Sequence, residues 1–318
     1  MYKKILVIKH GALGDIFMAL GAFKAIRKHH QDAKVILLTT KPFIKLARKM
    51  GYFDEVWYDN RSPWWDFKST IGIYRKLHGN GKVPFDRVYD LQNSTRSRGY
   101  YKLLKSPKPE WVGNVHGCSH HHPRDTYKHH HIKDYYNILF KDTGVKNIPN
   151  GEISWLKSDI GKYDLGSDDF AIFIPGCSKG NPDKRWSAAN FAHINTYLKA
   201  RNIKAVLIGR EDDRDIINDI IEKSGEDQNN LINLINETSL DDLAEIGRRS
   251  KFILGGDTGP MHIVSYLEIP IIMFFSGQSL FDLVSPRGQN VTLIHEKSLR
   301  DLKADHVIKL INSHTDIR

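Results

Sequence analysis

Lys4-Ile5-Leu6-Val7-Ile8-Lys9-His10-Gly11-Ala12-Leu13-Gly14-Asp15 is the stretch that decides the fold. Ile5 to Ile8 is a short, unbroken apolar run, which reads as a strand covered on both faces. Gly11 and Gly14 mark a turn, and an amphipathic pattern from Ile16 to about Lys28 follows it. Lys34-Val35-Ile36-Leu37-Leu38 is the next strand. The same succession returns in the second half. It runs Phe170-Ala171-Ile172-Phe173-Ile174, a turn through Pro175-Gly176, a helix from about Ala188 to Ala200, then Ala205-Val206-Leu207-Ile208-Gly209. Strands alternating with helices build parallel sheets covered on both faces. The expectation is therefore an α/β protein of two doubly wound, Rossmann-like domains facing a central cleft. The boundaries are expected at 1–160 and 161–318, with the linker in the Gly-, Asp-, Ser- and Lys-rich segment Val145 to Asp169 and the last helix packing back on the N-terminal domain.

At 318 residues, 40% hydrophobic and 26% charged, the composition excludes a disordered chain and favours two domains over one. No apolar run reaches the roughly 20 residues that cross a bilayer. Lys9, His10 and Asp15 interrupt the N-terminal apolar run, so it reads as a strand rather than a secretion signal. Two cysteines, Cys118 and Cys177, form no scaffold and no Cys-x-x-Cys pair, which fits a reducing cytoplasm. The net charge is +10, and it is unevenly placed: residues 1–160 carry 28 basic and 14 acidic side chains, while the remainder is net −4. A basic first half implies an anionic partner, such as a polyanionic substrate, a membrane surface or a nucleic acid. Dispersed cations and the lack of a nucleic-acid motif argue against the last.

Three clusters carry the chemistry. In the turn Gly11-Ala12-Leu13-Gly14-Asp15, the spacing is not that of the dinucleotide fingerprint. Asp15 there is either a helix N-cap or a general base. Pro175-Gly176-Cys177-Ser178 and Pro182-Asp183-Lys184-Arg185-Trp186-Ser187 set two cations beside a glycine turn, as a diphosphate would require, with Ser187 a candidate cap. Phe252-Ile253-Leu254-Gly255-Gly256-Asp257-Thr258-Gly259-Pro260-Met261-His262 runs a buried strand into a helix start that suits anions and sugar hydroxyls. The histidine runs His120–His122 and His129–His131 lack metal-site spacing. Asp213-Arg214-Asp215 reads as acids at a helix start. No metal is expected.

Taken together and in this order, these motifs resemble glycosyltransferase family 9, the ADP-heptose:lipopolysaccharide heptosyltransferases. Lys9-His10-Gly11-Ala12-Leu13-Gly14-Asp15, Pro175-Gly176 with Lys184-Arg185-Trp186, and Asp257-Thr258-Gly259-Pro260-Met261-His262 carry the resemblance. Asp90-Leu91-Gln92, His131 ahead of a helix ending near Gly144, and Leu299-Arg300-Asp301-Leu302 extend it. It implies a GT-B architecture with the nucleotide-sugar in the C-terminal domain and the acceptor in the N-terminal one, and an inverting enzyme without cofactor or metal. It also implies Asp15 as catalytic base, Lys184 at the donor diphosphate, and Asp257, Thr258, Gly259 and His262 around donor sugar and phosphates. The expected donor set further takes in Gly14, Ser178, Arg185, Gly209, Glu211, Pro260 and Met261. Where the family has a Phe/Tyr-Gly-Pro-Thr stretch, this chain reads Phe275-Ser276-Gly277-Gln278-Ser279.

The acceptor surface is expected at Arg61, Trp64, Trp65 and Lys68, where adjacent tryptophans in a basic, Pro-broken stretch cannot both point inward, and at Gln92 and Arg96. The partners expected are a nucleotide-sugar, an anionic saccharide or lipid-saccharide, and the inner membrane surface as a peripheral contact of a cytoplasmic protein, with no nucleic acid. An epimerase-like enzyme of the same architecture, acting on donor alone, is the alternative.

Overall fold

The computed structural model describes residues 2–78, 85–123, 129–166, 168–177 and 184–314. The chain divides into two compact units, Met1–Glu152 and Ile153–Arg318.

In the first unit six strands, β1 (Lys4–Ile8), β2 (Lys34–Thr39), β3 (Glu55–Tyr58), β4 (Arg87–Asp90), β5 (Glu110–Gly113) and β6 (His120–His121), pair in the order β3-β2-β1-β4-β5-β6. All pairs are parallel, Ile8 standing level with Leu38 on one side and Asp90 on the other. Burial of Ile5 through Ile8 and Val35 through Leu38 is what a sheet covered on both faces demands. Among the described residues, α1 (Leu13–Met18), α2 (Leu20–His29), α3 (Ile44–Lys49), α4 (Phe67–His78) and α5 (Thr95–Leu103) lie between strands, and α6 (Ile132–Phe140) follows β6. The single helix expected from Ile16 to Lys28 is thus two, broken at Ala19.

The second unit repeats the plan. Its strands are β7 (Phe170–Ile174), β8 (Lys204–Leu207), β9 (Leu231–Asn233), β10 (Ile253–Gly256), β11 (Ile271–Ser276) and β12 (Val291–Glu296), in the order β12-β11-β10-β7-β8-β9. The helices are α7 (Ala188–Lys199), α8 (Arg214–Lys223), α9 (Leu240–Arg249), α10 (Gly259–Val264), α11 (Phe281–Val284) and α12 (Ala304–His314). Counted within each unit, both sheets have the strand order 3-2-1-4-5-6 of dinucleotide-binding folds. Ligands of such sheets sit beyond the strands' carboxyl ends where the order reverses, between β1 and β4 in one unit and β7 and β10 in the other.

One expectation about the organisation is corrected. Ile153, Leu156, Ile160 and Leu165 are buried, and Arg248 on α9 donates to Ile153 O and Leu156 O, both at 2.8 Å. The segment 153–165 is therefore part of the second unit rather than half of a linker. The last helix contributes to the core of that unit: Val307 and Ile311 are buried in the cluster that α7 also lines.

Candidate active site

In the first unit the turn after β1 leads directly to Asp15. Gly11 has φ +120°, and a Cβ there would lie 2.3 Å from the Phe43 ring, so glycine is required on both counts. Asp15 is the third residue of α1, not its N-cap, and its Oδ2 accepts the Ala12 N–H at 2.8 Å. That hydrogen bond fixes the half-buried carboxylate over the end of the sheet. Gly14, one residue earlier, stands in the same first turn of α1.

Beneath this turn lies a network that sequence reasoning did not find. Lys9 is buried and donates from Nζ to Leu91 O at 3.2 Å. Burial lowers the pKa of its ammonium, and the nearby Asp15 and Asp90 carboxylates oppose that. Asp90 is fully buried, and its carboxyl is pushed up to about 6 by burial although Oδ1 accepts the backbone N–H groups of Gln92 (3.1 Å) and Asn93 (2.8 Å). The backbone N–H of His10 donates to Gln92 Oε1 at 2.9 Å, so Gln92 ties the β1 turn to the β4 turn across the switch point. The His10 ring is pushed down to about 4 by burial and is neutral at physiological pH. Its Nε2 lies 3.1 Å from the Tyr100 hydroxyl, which donates onward to Asp59.

Asp59 also holds Arg96, with Nε to Oδ2 at 2.7 Å and Nη2 to Oδ1 at 2.9 Å. Burial alone would raise the Asp59 carboxyl, but Arg96, Tyr100 and the Arg61 amide hold it below the usual range. The Arg96 guanidinium lies 3.9 Å from the Trp64 ring centroid. Two of the expected acceptor residues, Arg96 and Gln92, are therefore engaged inside the unit, where they shape the loop. The tryptophan pair divides: Trp64 packs on Arg96 and Tyr100, while Trp65 is 78% exposed. Arg61, at φ +59°, and Lys68 have exposed side chains.

In the second unit the turns after β7 and β10 meet. Lys184 Nζ lies 3.4 Å from Asp257 Oδ2, and His262 Nε2 lies 3.3 Å from Asp257 Oδ1. Burial raises the Asp257 carboxyl, yet His262, Ser279 and Lys184 together hold it below its ordinary value. The hydroxyls of Thr258 and Ser276 are buried without a hydrogen-bond partner. Thr258 and Ser279 belong to the same cluster as Asp257, and Ser276 ends β11 beside it. Unpaired buried hydroxyls are costly, so their concentration at one strand end marks a place for a polar ligand. Trp186 anchors the loop by packing on Phe191 and Phe274 and donating to Leu302 O at 2.8 Å, and Ser187 caps α7.

The remaining expected donor residues are placed unevenly. Arg185 turns back on its own loop, Nε donating to Cys177 Sγ at 3.1 Å. Met261 is wholly buried, and a Cβ on Gly255 would come 2.8 Å from its sulfur, so it packs under β10 instead of facing a ligand. Gly259 and Pro260 open α10. Glu211 is exposed, chelated by Arg214 at 2.6 and 2.7 Å and bonded by Asn236, and this pairing lowers its carboxyl. Gly209 lets Asp213 and Ile217 approach. Asp213, expected only as a helix-start acid, accepts the Arg210 N–H at 3.0 Å and lies where a Cβ on Gly176 would be, 2.3 Å away. Ser178 lies outside the described residues. No group of three or more His, Cys, Asp or Glu suited to a metal occurs among the described residues.

The family model for glycosyltransferase family 9 (heptosyltransferase) matches residues 74–312. The chain belongs to this family. It is therefore a glycosyltransferase. The chain is 25% identical over 310 residues to lipopolysaccharide heptosyltransferase 2 of Salmonella typhimurium, covering 92% of this chain and 87% of the relative. Among solved structures, the ADP-heptose lipopolysaccharide heptosyltransferase II of Escherichia coli superposes with a TM-score of 0.78 at 23% identity, covering 98% of both chains. The E. coli heptosyltransferase WaaC with ADP gives 0.76 at 17% identity, with 98% and 100% covered. The fold is accordingly that of a GT-B glycosyltransferase.

Proposed function

We propose that this enzyme transfers a heptose from a nucleoside diphosphate sugar such as ADP-heptose to an anionic saccharide of the lipopolysaccharide core, inverting the anomeric centre. The observation that carries the donor site is the Lys184–Asp257–His262 cluster at the second switch point, beside the two unpartnered hydroxyls of Thr258 and Ser276. A cation, a carboxylate and free hydroxyls in one buried place suit a diphosphate and a polyhydroxylated sugar. The relatives' names supply the sugar and the acceptor class.

Asp15 takes the proton of an acceptor hydroxyl as that oxygen forms its bond to the anomeric carbon. The bond from that carbon to the phosphate oxygen breaks, and the nucleoside diphosphate leaves with the electron pair. Lys184 meets charge that grows as the bond breaks, so it stabilises the transition state more than the bound donor. Asp257 and His262 orient the sugar, and Asp257 keeps the Lys184 ammonium in place. Because a side-chain cation offsets the leaving charge, turnover needs no metal. Arg61, Trp65 and Lys68 are the acceptor-facing residues, with Trp64 as the support under them. The enzyme works in the cytoplasm, against the inner membrane surface where a lipid-linked acceptor lies.

The test is incubation with ADP-heptose and a deacylated core saccharide in EDTA, following ADP release and the anomeric configuration of the product. Stoichiometric inverted product supports the reading. Turnover of donor without acceptor would replace it with an epimerase-like activity, and loss of turnover restored only by Mg²⁺ or Mn²⁺ would bring Asp213 and Asp215 forward as ligands.

A further inference from the structure

Five large apolar side chains are exposed among the described residues, and four of them, Tyr58 (38%), Trp65 (78%), Phe67 (75%) and Ile71 (48%), fall between residues 58 and 71. Isolated exposed apolar residues are ordinary, but a concentration of this kind marks a contact surface. We propose that the outward face of α4, led in by Trp65, is a docking surface for an anionic lipid bilayer. The proposal deepens the membrane contact suggested above and rests on that reading only for its location in the cell.

Helical geometry supports it. Ile73 and Leu77 lie on the buried side of α4, while Phe67, Lys68, Ile71, Gly72 and Arg75 share the opposite arc and are all exposed. A helix of a soluble unit ordinarily turns a polar face outward; here that face alternates large apolar groups with cations. Asp66, the acid beside the patch, is taken up at the start of α4, where it accepts the Ser69 backbone N–H at 3.2 Å and the Ser69 hydroxyl at 2.7 Å. Asp59, the other nearby acid, is buried against Arg96. Lys68 and Arg75 thus face outward together with Arg61, with no carboxylate paired to either among the described residues.

The combination of an indole, aliphatic and aromatic side chains, and interleaved cations matches the headgroup layer of an anionic bilayer, where rings sit at the interface and Lys and Arg meet phosphates. The loop is also stiff enough to present it: Trp64 is clamped under Arg96, so Trp65 next to it is held outward. A soluble anion would use the cations but leave Phe67 and Ile71 unexplained.

The experiment is co-sedimentation of the full-length protein with vesicles of phosphatidylethanolamine and phosphatidylglycerol, against vesicles of phosphatidylcholine alone, with lipids brominated in the acyl chain as a depth probe. The expected result is binding to the anionic vesicles only, weakened by salt, with tryptophan emission quenched by bromolipid and that quenching lost in Trp65→Phe. Phe67→Ser/Ile71→Ser should lower the partition coefficient by about tenfold or more, and Lys68→Ser/Arg75→Ser by about fivefold per cation. Both variants should keep the parent melting temperature and ADP affinity, because none of these side chains is buried. Failure of the parent to bind anionic vesicles, or equal binding by Phe67→Ser/Ile71→Ser, overturns the proposal. So does a self-associated parent that the same pair of substitutions makes monomeric, since a second copy would then cover the face. Any of these results leaves sugar transfer to a deacylated acceptor unaffected, which separates failure of the docking surface from failure of the proposed reaction.

Discussion

Lys184 and Asp257 face each other at 3.4 Å, both largely buried, with His262 3.3 Å from the other carboxylate oxygen. A diphosphate arriving there gains a charged hydrogen bond that the side chain has already been positioned to make. Lys184→Ala should therefore weaken ADP binding by about 1.5–3 kcal/mol, read by isothermal titration; unchanged affinity would move the diphosphate elsewhere. Asp15 is different in kind, because its hydrogen bond to Ala12 N–H is one that an amide oxygen can also accept. Asp15→Asn should keep the melting temperature and lower turnover by about two orders of magnitude or more. Normal turnover of that variant would remove Asp15 from the mechanism, and a large loss of stability would make its role structural.

The loop between β3 and α4 is where an element's shape depends on one buried pair. Asp59 is almost wholly inside, bonded by Arg96, by Tyr100 and by the Arg61 backbone, and removing Arg96 would leave the carboxylate buried and uncompensated. Arg96→Ala should cost about 3–5 kcal/mol of stability in urea melts, and adding Asp59→Asn should restore part of it; a loss within the noise of the melts would show that the pair does not hold the loop. This network also marks the limit of what could be read before the structure. Strands such as Lys4–Ile8 and Phe170–Ile174 were legible because apolar periodicity is local, and the turns that carry Asp15, Lys184 and Asp257 because glycine and proline punctuate the strand ends. His10, Asp59 and Tyr100 were not, since they are 90 and 41 residues apart along the chain and carry no spacing signal. Arg96 and Gln92 looked like binding groups for the same reason: a sequence displays the charge or amide of a side chain but not the partner that uses it. Adjacent Trp64 and Trp65 could be expected to diverge, yet which of them turns inward depends on Arg96.

At the scale of the whole molecule, two units with the same strand order differ mainly in charge: net +14 over residues 1–160 and −4 over the rest. Shared topology gives each unit a binding place at a switch point but no chemistry of its own, so the charge and the side chains at those places must divide the labour. The negative second unit compensates locally, with Lys184 beside Asp257; the positive first unit leaves cations such as Arg61 and Lys68 in solvent. Exposed cations contribute little to stability but do draw anions, and their effect is screened within about 10 Å at ordinary ionic strength. Replacing Arg61 by Asn, which tolerates the positive φ at that position, and Lys68 by Ser should leave the melting temperature unchanged. With a deacylated anionic acceptor, which removes any bilayer from the assay, the double variant should raise the acceptor KM several-fold at low salt, with kcat and ADP affinity as in the parent. The difference should shrink as salt rises, because only the screened, long-range part of acceptor capture has been removed. Equal acceptor KM in parent and variant at every ionic strength would show that the acceptor does not meet this loop, and the excess positive charge of the first unit would then serve the bilayer rather than the sugar.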